Sequence, residues 1–349
     1  MPFTKSSKLC DLPPVITATG SSLPPVDTFL QQVINGLTAG SVYAVVALGY
    51  TMVYGIIQLI NFAHGEVVMI GAMVAFTVIN LLVPTGLPPL AIVLIGAGCA
   101  VPVCMLVGYG MERLAYRPLR HSPRLAPLIT AIGVSIILQH VSLMIWSRNV
   151  LAFPQIIPSR SYFIGGAAIT TVQIAILAIC LTLMAGLAIL VYRTPLGTAM
   201  RATAQNPQVA GLMGIDINRV IAVTFIIGAG LGAVAGVLFG TYYGLAQYTM
   251  GSVLGLKAFS AAVLGGIGNI PGAMLGGVLL GLVEALGAGY IGDFTDMCQW
   301  GLPLQACEGG GHFILFGSNY QDVFAFIVLI LVLVFRPQGL LGERVGDRA

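Results

Sequence analysis

Between two long apolar runs the chain reads Asn61-Phe62-Ala63-His64-Gly65-Glu66, an amide, an imidazole and a carboxylate within six residues. Ionisable groups at membrane depth are costly, and by default they mark a path for a polar solute or an ion. One histidine with one carboxylate is too small a ligand set for zinc, so no metal is expected. Gly65 lets a helix break there, and an interrupted helix frees backbone groups that must be buried in protein or line a cavity. Such discontinuous helices often border transport pathways. The alternative is a plain turn at the membrane surface.

A second interruption lies in KAFSAAVLGGIGNIPG, residues 257–272. Glycine, asparagine and proline, Gly268 and Asn269 among them, break an apolar run into a short helix, a turn and a full span. Asn61–Gly65 and Asn269–Gly272 open their following spans in comparable ways, which hints at an internal repeat. Lys257 can either snorkel to the membrane surface or face a solute path; snorkelling is the expected reading. Glu284 can pair across its span, and Gln139 and His140 can hydrogen-bond between helices.

No nucleotide or catalytic motif accompanies these residues. The chain has no GxxxxGK[ST] phosphate loop, no HExxH, no paired CxxC and no GxSxG elbow. No cofactor is expected on this chain, and any use of ATP must come from a partner. Cys99, Cys104 and Cys180 lie in apolar runs and read as inert core residues. Cys298 and Cys307 lie in an acidic loop where a disulfide could persist, and both bridged and free states fit their spacing.

The third polar feature is an island, RTPLGTAMRATAQNPQVAGLMGIDINR, residues 193–219. Thr194-Pro195 and Asn206-Pro207 each set a capping residue before a proline, the signature of a helix start. Two short helices joined at Asn206 are expected, the second stopping near Gly214. A structured loop between hydrophobic spans is a surface for a soluble partner.

The elements that hold these residues are membrane helices. Of 349 residues 57% are hydrophobic and 8% charged, against about 25% charged in soluble domains, and mean hydropathy is +0.96. An all-α polytopic integral membrane protein follows. Apolar runs near 30–56, 65–83, 90–110, 127–146, 171–192, 220–241, 271–291 and 321–335 give about eight transmembrane helices. Broken or re-entrant segments are expected near 57–66 and 253–272. Residues 1–27 read as a disordered lead, 28–341 as the membrane domain and 342–349 as a tail.

Ten of the fifteen Lys and Arg residues lie in 111–126, 193–219 and the segment after 335. By the positive-inside rule these three segments are cytoplasmic, and the acidic insertion 292–320 is not. A net charge of +3 gives no reason to expect nucleic-acid binding. Gly228, Gly232, Gly236 and Gly240 recur every four residues, and Gly272, Gly276, Gly277 and Gly281 follow a related pattern. Such faces pack closely, either within the subunit or against a second permease subunit.

Three stretches carry a resemblance: NGLTAGSVYAVVALGYTMVYGIIQLINFAHGE (35–66), TPLGTAMRATAQNPQVAGLMGIDINRVI (194–221) and KAFSAAVLGGIGNIPGAMLGG (257–277). Together they resemble the LivH-type permeases of branched-chain amino-acid ABC importers. The tail GERVGDRA is similar to that of cyanobacterial neutral amino-acid permeases. The long N-terminal lead and the cysteine-containing insertion at 292–319 depart from the pattern. The resemblance implies a plasma (inner) membrane complex of this chain, a LivM-type permease, two cytoplasmic ATPases that use ATP, and a periplasmic or extracellular amino-acid-binding protein. It also implies that 194–219 docks on an ATPase; within it the small and polar groups at the helix junction, Arg201, Ala202, Gln205, Asn206 and Pro207, are the expected contacts. The expected role is import of branched-chain or other neutral amino acids without chemistry on this chain. The solute is expected beside Asn61, His64, Gly65, Glu66, Lys257, Gly268 and Asn269. Rival readings are an ABC permease for urea or short amides, an ion-coupled secondary transporter, and a purely structural subunit.

Overall fold

In lipid, long apolar runs have only their own backbone to hydrogen-bond with, and they become helices. A computed structural model describes residues 25–120, 122–123, 125–164, 166–295 and 320–342. In chain order the helices are α1 (Pro25–Ile57), α2 (His64–Leu82), α3 (Pro89–Met111), α4 (Leu125–Trp146), α5 (Thr171–Arg193), α6 (Pro195–Gln205), α7 (Pro207–Leu212), α8 (Ile217–Tyr243), α9 (Met250–Gly265), α10 (Ile270–Phe294) and α11 (Gln321–Phe335). Among the described residues, seven of these are long and apolar enough to cross a membrane, while α9 and α11 are shorter. The expected spans are thus all helical, and the eighth is the 15-residue α11. The apolar piece expected at 253–268 is α9, whose 16 residues reach only about 24 Å.

α1 begins at Pro25, three residues before the expected start of the membrane domain. The tail 343–349, the loop around Cys298 and Cys307, and most of the N-terminal lead lie outside the described residues.

Two ends of the bundle are defined by their contacts. At one, Arg120 donates to Asn218 (2.6 Å), joining the loop after α3 to the start of α8. At that same end the N–H groups of Leu340 and Leu341 donate to the carbonyls of Leu264 and Gly265. The three basic segments therefore share one end. At the other end, strand β1 (Leu151–Ala152) pairs antiparallel with Leu245–Ala246. The hairpin of Ser161–Ile164 with Ala167–Thr170 meets α1 there, where Gln31 Oε1 accepts from Ala168 N–H (2.8 Å).

α1 and α8 form the centre: 78% and 72% of their spanning windows are buried, against 11% for α4, which lies outermost. The glycine faces explain the close packing of the centre. Gly277 and Gly281 of α10 lie against Ala44 and Gly40 of α1, while Gly228 and Gly236 of α8 lie against Gly49 of α1 and Val68 of α2. Both glycine faces are filled by helices of the same chain. The reading in which one of them meets a second permease subunit is overturned.

Candidate transport site

After α1 ends, Gln58 adopts φ 55°, a left-handed conformation that a non-glycine residue holds only at some cost. Residues 58–63 are irregular, and α2 starts at His64. The His64 ring lies against Gly49, eight residues before the end of α1, or about 12 Å by helical rise. The chain therefore turns back into the bundle before α2 begins, as the interrupted pattern predicted. The break itself lies earlier than expected. Gly65 is inside the first turn of α2, and a Cβ there would strike the Gly251 carbonyl and come within 2.8 Å of Gly255 Cα. Its role is to let α2 and α9 touch.

The polar residues of this stretch diverge. Asn61 Oδ1 accepts from the Ala63 N–H (3.1 Å) and the Tyr116 hydroxyl (2.8 Å). Tyr116 belongs to a π-helical turn, Glu112–Tyr116, a local form frequent at functional positions. His64 sits between α1 and α8, edge-on to Tyr50 at 4.8 Å between ring centroids. Glu66 faces the other way. It is fully buried, and its Oε1 accepts from Ser135 Oγ (3.1 Å) and Gln139 Nε2 (2.7 Å) of α4. Gln139 Nε2 also donates to Ser252 Oγ of α9 (3.1 Å). Buried polar atoms normally have partners, yet Asn61 Nδ2, His64 Nε2 and Glu66 Oε2 have none among the described residues.

Beside the Glu66 network is a pocket of about 170 Å³. Ser135 and Ser252 form its polar side, and Tyr50, Phe62, Ile132 and Leu256 its apolar wall. A polar head next to a small apolar chamber suits a solute with one charged end and one hydrocarbon end.

The second interrupted stretch meets the first through the Phe62 and Phe259 rings, 5.9 Å apart. Its polar residues do not join the Glu66 site. Lys257 is buried and does not snorkel: its Nζ lies 2.6 Å from Glu284 and 2.7 Å from Asp322. The buried Glu284 and the partly exposed Asp322 together attract the ammonium more strongly than the surface does. Glu284 also accepts from the Tyr43 hydroxyl (3.3 Å), so its expected cross-span pairing is present. Gly268 adopts φ 94° in the turn before α10, and Asn269 Nδ2 donates to the Leu341 carbonyl (2.7 Å). Asn269 thereby secures the C-terminal segment at the basic end. Gln139 bridges helices as expected. His140 does not: its ring bonds the Ile136 carbonyl of its own helix. Cys104 and Cys180 are buried, whereas Cys99 is exposed on α3 and is no core residue.

The polar island folds as the caps dictate. Thr194 Oγ1 accepts from the Gly197 N–H (3.1 Å), and Asn206 Oδ1 from the Val209 N–H (3.1 Å). Gly214 takes φ 86°, and Asp216 caps α8 through the Arg219 N–H (3.2 Å). Met200 and Thr203 turn inward, while Arg201, Gln205, Asn206 and Pro207 are exposed and Ala202 is half-buried. The Arg201 guanidinium lies over the Tyr192 ring, 5.7 Å from its centroid. On α7, Val209 and Leu212 are exposed, with Met213 just beyond. Ser135, Ser252 and Tyr116 escaped the sequence reading, since a lone hydroxyl in an apolar run announces no partner.

Residues 32–333 match the family described as the permease component of the branched-chain amino acid transport system. The chain is 46% identical over 326 residues to the high-affinity branched-chain amino acid transport system permease protein BraD of Pseudomonas aeruginosa, covering 92% of this chain and 98% of that protein. It is 45% identical over 323 residues to the corresponding protein LivH of Escherichia coli K12, covering 90% and 96%. It is 27% identical over 310 residues to a probable branched-chain amino acid transport permease of Methanocaldococcus jannaschii, covering 85% and 87%. No solved structure matches.

Proposed function

The chain belongs to the permease-component family of branched-chain amino acid transport systems, and from that premise we propose that it imports branched-chain or other neutral amino acids as the membrane subunit of an ATP-driven complex. The single observation that carries the solute path is the buried Glu66 network beside the 170 Å³ pocket. A carboxylate at this depth, with one oxygen unpartnered, favours an ammonium, and the apolar wall favours a branched side chain. Asn61, His64 and Gly65 belong to the same broken segment and hold its geometry. Lys257 ties α9 to α10 and α11, Gly268 makes the turn before α10, and Asn269 holds the C-terminal segment.

The chain performs no reaction of its own. Two ATPase subunits dock on the basic end, which faces the cytoplasm of an inner-membrane complex, and a LivM-type permease completes the path. A soluble amino-acid-binding protein delivers solute to the opposite face. ATP closure moves the exposed surface of α6 and α7 around Arg201, Ala202, Gln205, Asn206 and Pro207, and the spans switch access. A ligand biases such states only through differential affinity, so the loaded binding protein favours the outward-open form. Uptake of labelled leucine by the reconstituted complex tests this reading. Transport is expected with ATP and to fall with Glu66→Gln; transport that follows an ion gradient without ATPases would overturn it.

A further inference from the structure

A second, larger cavity of about 680 Å³ opens at the basic end, within the range of small-molecule sites, about 300–1,000 Å³. It lies between the end of α1, the turn after α3, α7 and the start of α8. Arg117 and Arg120 border it together. Arg120 is ion-paired with the buried Glu112 and donates to Asn218, yet its Nε is buried with no partner among the described residues. Arg117 is exposed, and its side chain makes no ion pair or hydrogen bond among those residues. Glu112 neutralises Arg120 alone, so the Arg117 guanidinium is left as an unpaired positive charge at the cavity. Ile57, Ile217 and Ile221 supply an apolar wall opposite, and Pro207 and Gln208 of α7 form one rim.

Guanidinium groups recognise carboxylates by charge-assisted hydrogen bonds, and the isoleucines accept a hydrocarbon chain. We propose that this cavity is a second amino-acid site, which holds the carboxylate at Arg117 and Arg120 and lies against the surface where the ATPase docks. The inference rests on reading the chain as an amino-acid permease. Occupancy touches α7 and the end of α1 at once, so a bound amino acid restrains the docking element. The amino acid can come from the cytoplasmic pool, as a brake on import, or from the transport path, as a last stop before release.

The test uses the intact complex carrying Gln208→Cys, with modification of that thiol by a polar reagent followed by peptide mass. Leucine is expected to slow modification several-fold, and leucinamide, which lacks the carboxylate, is not. Loss of one charge-assisted contact means that Arg117→Gln should raise the half-protecting leucine concentration by about tenfold or more. Protection without ATP and binding protein identifies the cytoplasmic pool as the source; protection only during turnover identifies the transport path. Either outcome supports the site. Equal protection by leucine and leucinamide, or none from either, overturns it. Leucine uptake by the same preparation separates this result from the transport reading: uptake with an unprotected thiol rejects the second site alone.

Discussion

Glu66 reaches its partners because Gly65 has no side chain. With α2 pressed onto α9 at Gly65, the carboxylate lies level with Ser135 and Gln139 of α4. Gly65→Ala puts a methyl group onto the Gly251 carbonyl, and overpacking of this kind costs about 1–3 kcal/mol. A lowered melting temperature of the detergent-solubilised complex is expected, whereas an unchanged one would mean that the helices part freely. Glu66→Gln keeps an acceptor for both α4 donors and removes the charge. Charged hydrogen bonds contribute about 1.5–3 kcal/mol, so kcat/KM for leucine uptake should fall by about tenfold or more with assembly retained. The types and depth of Asn61, His64 and Glu66 were legible in the sequence. Their divergence was not, because the partners of Glu66 stand 69 and 73 residues away, in a helix with no distinguishing pattern. Lys257 shows the same limit: its carboxylates, Glu284 and Asp322, are brought to it by packing alone.

At the scale of elements the local signals were far more legible. A capping side chain followed by proline determines a helix start without tertiary help, and Thr194 and Asn206 both accept the expected backbone hydrogen bonds. Asn206→Ala removes one cap, at a cost of about 1 kcal/mol. Faster amide hydrogen exchange confined to α7 is expected, with reduced coupling of ATP hydrolysis to uptake. The attachment of α11 is a tertiary matter. It is short, carries many exposed apolar residues, and is held by the ion pair of Lys257 with Asp322 (2.7 Å). Lys257→Met leaves the buried Glu284 without its cation, at about 3–5 kcal/mol for a broken buried pair, and also releases the partly exposed Asp322 of α11. Protease cleavage near the start of α11 should accelerate in that variant. Glu284→Gln in the same chain should restore part of the loss; no change in either variant would show that α11 is held by packing alone.

At the scale of the whole molecule, apolar run lengths and the placement of arginine made the bundle and its two ends legible. The three basic segments do share one end, bound through Arg120–Asn218 and Asn269–Leu341. Which glycine face met which helix was not legible, since a small-residue stripe is equally fit for its own chain or a partner. The pocket beside Glu66 and the exposed face of α6 and α7 therefore belong to a single packed unit, with α1 and α8 at its centre. Motion of α6 and α7 can reach the helices that line the pocket, Tyr50 of α1 among them. ATP-driven leucine uptake into proteoliposomes, comparing Arg201→Glu with the unaltered complex, tests that link most directly. Uptake that requires ATP and falls by about tenfold or more in Arg201→Glu, the loss expected for one charged contact, with the permease still inserted, is the expected result. Equal uptake by the two complexes, or uptake indifferent to ATP, would contradict it.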